Sequence, residues 1–188
     1  MEKDLSNMSL EELWQLFPIF LTEHQTVWSE WFEEEKSRLK SILQERRTIR
    51  ISHIGSTSVS TIWAKPIIDI LIEISADCSM EEIKTALVDN GYICMSREEG
   101  RVSFNKGYTP NGFGQKVYHV HLRYAGDNDE LYFRDYLLEN QNVAKEYEKL
   151  KLGLWKEYEH NRDGYTNAKT GFIDRYTQAA KKEYAGRY

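Results

Sequence analysis

The run KPIIDILIEI, residues 65–74, narrows the choice of folds more than any other stretch of the chain. It is opened by a proline, rich in isoleucine and too short for a typical helix, so it reads as a largely buried strand. A buried strand must have neighbours in a sheet and layers over it. It also carries Asp69 and Glu73, whose even spacing sets both carboxylates on one face. Ionised carboxylates on such a strand are costly unless they are paired or bind a cation. Oxygen donors of this kind favour Mg2+ or Mn2+, with a salt bridge as the structural alternative, evenly balanced for Glu73.

The flanking segments supply the neighbours. RTIRISHIG alternates with the period of a strand and ends at Gly55, and YICMS, RVSFNKGY and VYHVHLRY read as three further strands, the last two joined across TPNGFGQ. Ser79 and Glu82 cap a helix closed by Gly91, and Ser9 with Glu12 forms a capping box ahead of LEELWQLF. The spacing of apolar residues from Pro18 to Arg46 predicts one long amphipathic helix, with an aromatic stripe facing the core. From Asp129 onward the pattern is helical, with Asn142 as a cap and NRDG as a turn between the last two helices. The expected fold is α+β: one domain over residues 1–188, with a mixed-sheet core and long N-terminal helix in 1–128 and a helical section in 129–188.

With 188 residues, 40% apolar and 29% charged, the chain can bury a core, and its formal charge of −5 disfavours non-specific nucleic-acid binding. Cys78 and Cys94 match neither a redox pair nor a zinc knuckle, which suits a reducing compartment. The acidic N-terminus lacks a signal-peptide pattern, and no segment approaches a bilayer span, so a cytoplasmic setting without membrane contact is expected.

Gly55 followed by Ser56, Thr57 and Ser58, between a strand end and a short helix, offers N–H groups and hydroxyls to a phosphate; an ordinary N-cap is the alternative. Of the bases, Lys65, Arg101 and Lys169 are the candidates to reach the same anion, while Lys106, Arg134 and Lys151 are more often solvated. His119 and His121 share a strand face; His121 is a candidate metal ligand, and His119 reads as a hydrogen-bonded, half-buried side chain. His53 reads as a packed strand residue. There is no GxxxxGK[ST] loop, no third glycine in GFGQKV and no GxSxG elbow.

HIGSTSV, AKPIIDILIEI, RVSFNKGY, HVHL, LYFRDYL, YEKLK and YTNAKTGFI, with LFPIFLTEHQTVWSEWFEEEK before them, resemble the ordered signature blocks of the GrpB family across nearly the whole chain. That family is assigned to the nucleotidyltransferase superfamily, so the resemblance implies a polymerase-beta-like fold. It also implies a Gly-Ser turn followed by acid, apolar residue and acid on a strand, with a third acid later. Gly55, Ser56 and Asp69 fit; Leu71 stands where the second acid belongs, leaving Glu73 as an offset substitute. The implied reaction moves a nucleotidyl group from a nucleoside triphosphate to a small-molecule or protein acceptor, with Asp69 and Glu73 as catalytic residues and Asp69, Glu73 and His121 as holders of Mg2+ or Mn2+. Two alternatives stand beside it: a catalytically degenerate binder of a nucleotide or coenzyme A-type phosphate, and a purely structural partner protein.

Overall fold

The computed structural model describes residues 5–43 and 48–188. The chain is α+β, built on a mixed sheet. Strands β1 (Thr48–Ile54), β2 (Ile68–Ile74), β3 (Ile93–Glu98), β4 (Arg101–Thr109) and β5 (Gly112–Tyr124) lie in the order β1-β2-β5-β4-β3. Among the described residues only the β2–β5 pair is parallel; the other three pairs are antiparallel. The apolar run thus becomes an inner strand with a partner on each side.

Strand alternation assigns the two faces. Ile68, Ile70, Ile72 and Ile74 join Val102, Phe104, Tyr118, Val120 and Leu122 in the main core, under helices α2 (Val27–Leu43) and α3 (Met80–Asp89). Asp69, Leu71 and Glu73 face the other way, beside His119, His121 and Arg123 of β5. That second face meets the helical section: α4 (Asp129–Glu139), α5 (Gln141–Glu157) and α6 (Arg162–Glu183). Leu71 packs there with Ile54 and Leu131.

Two local expectations are corrected. Residues 18–26 are not helical: Thr22 forms a two-way backbone bridge with Ala64, and the Ile19 N–H donates to the Glu159 carbonyl. Ile19 and Leu21 are buried in this extended course, so the apolar residues that mimic a helical stripe serve a strand-like one, and the helix begins only at Val27. The expected end of that helix, at 44–46, lies outside the described residues. The short helix α1 (Leu10–Leu16) carries the capping box as read, with Ser9 and Glu12 bonded reciprocally. Asn140, rather than Asn142, precedes α5, and Asn161 of the NRDG segment caps α6 by accepting from Gly164 N–H. Much of TPNGFGQ is taken into the β4–β5 hairpin, which turns at Pro110 and Asn111. Among the described residues no helix is long and apolar enough to cross a membrane.

Candidate functional site

Between the polar face of the sheet and the C-terminal helices lies a cavity of about 500 Å3, within the size range of small-molecule sites. Asp69, His119 and His121 enter it from the paired inner strands, Gly55, Ser56, Thr57 and Lys65 from the loops beside β2, and Lys151, Arg162, Tyr165 and Lys169 from α5 and α6.

Gly55 sets the floor. Its φ of +69° and ψ of −174° define a conformation open essentially to glycine alone. A Cβ there would stand 2.3 Å from Asp69 Oδ2, so the absence of a side chain lets the carboxylate lie against the turn. After it, Ser56–Ser58 make a single 3-10 turn, not the longer helix that would focus N–H groups on an anion. Ser58 folds back, its hydroxyl donating to the Gly55 carbonyl at 2.6 Å, and it does not line the cavity. Thr57 lines the cavity but donates its hydroxyl to the Ile67 carbonyl, so it accepts from His53 Nε2. His53, stacked on Phe32, is pushed down to about 4 by burial, as fits a packed, neutral imidazole. Ser56 keeps its place on the cavity wall, beside Tyr147.

Asp69 is held from β5. His119 Nδ1 lies 3.3 Å and His121 Nε2 3.8 Å from Asp69 Oδ1. Burial alone would raise the Asp69 pKa, but the two imidazoles beside it, with the His119 N–H closest, hold it far below the usual carboxylate range. On its other side, His119 Nε2 is 3.0 Å from an Arg162 N–H donor and 2.7 Å from the Tyr108 hydroxyl. Because arginine can only donate, Nε2 accepts, and the ring proton sits on Nδ1 facing Asp69. Burial pushes His119 down to about 4, consistent with this neutral tautomer.

Glu73 does not reach the cavity. It is buried and accepts from Arg50 Nε at 2.5 Å and Nη2 at 3.1 Å, and from Asn128 Nδ2 at 2.9 Å. The alternation that puts it on the Asp69 face is right; the strand register, pairing Arg50 with Glu73, turns it into an ion pair. The second-acid position belongs to Leu71, which is fully buried. Among the described residues Asp69 is therefore the lone strand carboxylate at the cavity, with one imidazole presenting a proton to it; Asp129, Glu130 and Asp174 line it from the helical section. This donor set does not fit Mg2+ or Mn2+, and among the described residues no group of three or more His, Cys, Asp or Glu is arranged to hold a metal ion.

The bases separate by their partners. Arg101 lines the cavity yet is forked onto Asp127 at 2.7 and 2.6 Å, and Arg134 donates to the His53 carbonyl and to the Tyr188 hydroxyl. Lys151 is buried, donating to the Trp63 carbonyl. Lys65 and Lys169 instead flank the Tyr165 ring, at 5.4 and 4.1 Å from its centre. Among the described residues neither they nor Arg162 form an ion pair with a carboxylate. Burial, with repulsion from Lys169 and Arg162, lowers Lys65 to about 7; burial, against the pull of Asp69, lowers Lys169 to about 8. Sequence reading missed Arg162, which lies in the segment taken as a turn, and Tyr165; their relation to His119 and Lys65 arises only when α6 packs on the sheet.

The model for the GrpB protein family matches residues 18–179. The chain belongs to the GrpB family. This GrpB-family chain is 37% identical over 162 residues to the glutamate-rich protein GrpB of Alkalihalophilus pseudofirmus, covering 83% of this chain and 92% of that protein. The crystal structure of conserved protein GrpB from Enterococcus faecalis has a TM-score of 0.75 at 34% identity, over 88% of this chain and 99% of that one. A more distant likeness, to Cid1 in complex with its short product ApU, has a TM-score of 0.42 at 13% identity, over 76% of this chain and 43% of that one.

Proposed function

We propose that this chain binds a phosphorylated small molecule, of nucleotide or coenzyme A type, with its phosphates against Lys65, Arg162 and Lys169. The observation that carries this reading is the convergence of three cationic side chains on one cavity, none of them ion-paired to a carboxylate among the described residues. Crowded, partly desolvated cations raise each other's cost, and a phosphate offsets it through charge-assisted hydrogen bonds. The Ser56 hydroxyl adds a neutral donor. Nucleotidyl transfer requires paired carboxylates, and with Leu71 and the ion-paired Glu73 the strand contributes Asp69 alone; binding without turnover is what these side chains support.

A thermal-shift series with inorganic pyrophosphate, ATP and coenzyme A tests the reading. A ligand at ~100 times its Kd adds ~2.7 kcal/mol, a rise of roughly 5–11 °C in Tm for a domain of this size. Unchanged melting with all three would remove the proposal. Pyrophosphate release from ATP with Mg2+ or Mn2+, lost in Asp69→Asn, would replace binding by transfer.

A pH dependence follows from the lysines. Lys65 and Lys169, lowered to about 7 and about 8, lose their protons in the empty protein as pH rises through that window, whereas a bound phosphate keeps them charged. Affinity for pyrophosphate therefore falls from pH 7 to pH 9. For the empty protein the sign is opposite. The unfolded chain keeps these lysines protonated up to their ordinary range, so it binds more protons than the native state above pH 7, and their contribution to stability rises with pH. Calorimetric titration and melting across that range read both trends.

A further inference from the structure

The family resemblance points to divalent cations as the charge-neutralising element of such a cavity, and the residues present argue against them. Leu71, at the position for the second acid, is 0% exposed and closed in by Ile54 and Leu131, so no metal can approach the strand there. Glu73 is spent on Arg50 and Asn128. His119 turns a protonated Nδ1 toward Asp69, while its lone-pair nitrogen accepts from Arg162. On the strands Asp69 and His121 are what remain, and the Arg162 guanidinium is tied to the same carboxylate through one imidazole; the other lining carboxylates, Asp129, Glu130 and Asp174, come from the helical section, and among the described residues no group of three or more His, Cys, Asp or Glu is arranged to hold a metal ion. A dication entering here shares the cavity with Arg162, Lys65 and Lys169 and finds no second carboxylate on the strand.

We propose, resting on the phosphate-binding reading above, that the cavity takes its ligand as the free, uncomplexed anion, with Lys65, Arg162 and Lys169 supplying the positive charge that a divalent cation supplies elsewhere. Three fixed cations around one hollow are a preorganised counter-charge, and they cost no metal dehydration. Both lysines lie against the Tyr165 ring, at 5.4 and 4.1 Å from its centre, one from the loop before β2 and one from α6, so an anion held by both bridges the sheet and the helical section. Burial is the main reason both lysines are lowered, and repulsion from Arg162 adds to it in each case. Mg2+ in solution then competes with the protein for the phosphates instead of assisting it.

The experiment is calorimetric titration of the full chain with inorganic pyrophosphate and with ATP at pH 7, once in EDTA and once in excess Mg2+. The expected result is binding in EDTA at least as tight as in Mg2+, with weakening as Mg2+ is raised. Lys169→Gln and Arg162→Gln should each weaken binding in EDTA ~10-fold or more, the loss of one charge-assisted contact. Their Tm without ligand identifies a variant that fails to fold; Lys169, half-buried on α6, is the one expected to keep its fold. Binding seen only with Mg2+ or Mn2+ and abolished by EDTA would overturn this inference and leave phosphate binding standing. Folded Lys169→Gln that binds like the unaltered chain would also overturn it. Absence of binding in both buffers would sink the phosphate-binding reading itself.

Discussion

Gly55→Ala is expected to cost ~3 kcal/mol, within the roughly 2–6 kcal/mol spanned by 1–3 kcal/mol for a side chain in a glycine-only backbone region plus 1–3 kcal/mol for overpacking. The new Cβ would lie 2.3 Å from Asp69 Oδ2 and 2.9 Å from its Cγ, so either the turn or the carboxylate must move. Melting should fall by roughly 6–12 °C. Gly91→Ala is the control, since Gly91 also has a positive φ, +86°, but nothing stands within 4 Å of its added Cβ. That variant should lose only ~1–2 kcal/mol. Equal losses at the two glycines would show that no carboxylate leans on Gly55. If Asp69 moves instead of the turn, its bonds to His119 and His121 loosen, and phosphate affinity should change along with stability.

Glu73→Ala should damage stability and spare the site. The carboxylate is 1% exposed and satisfies both Arg50 and the buried Asn128 amide, so its removal leaves two polar groups without their partner. Breaking a fully buried ion pair costs ~3–5 kcal/mol; because Arg50 is 33% exposed and also lies over the Tyr188 ring, ~2–3 kcal/mol is expected after screening. Phosphate affinity should stay within roughly twofold, as for independent sites. Melting curves and pyrophosphate titrations on the same sample decide the matter. A large loss of affinity with unchanged melting would return Glu73 to the catalytic role that the family resemblance implies.

These two residues also show how far the sequence reaches. The parity that sets Asp69 and Glu73 on one face, the glycine turn, and the neighbouring strand bearing His119 and His121 are all readable, because alternation and turn chemistry are local. The Arg50–Glu73 pair depends on antiparallel register, which alternation leaves open by even steps. Residues 18–26 depart from the helix that their spacing predicts because Ile19 and Leu21 suit an amphipathic helix as well as a backbone-bonded extended segment, and the bridge to Ala64 decides between them. Tyr108 reaches His119 across the β4–β5 hairpin, 11 residues away, and Arg162 reaches it from 43 residues away only because α6 packs on the sheet. No short-range pattern announces it.

The bridge between Thr22 and Ala64, together with the Ile19–Glu159 bond, makes the stretch before α2 a clasp. One end fastens the loop that bears Lys65; the other fastens the connection leading into Arg162 and Lys169. Opposite walls of the hollow are therefore stitched by a segment that donates almost none of its own chemistry. Amide protons of Ile19 and Thr22 should exchange more slowly once the hollow is filled, making this seam a remote reporter of occupancy.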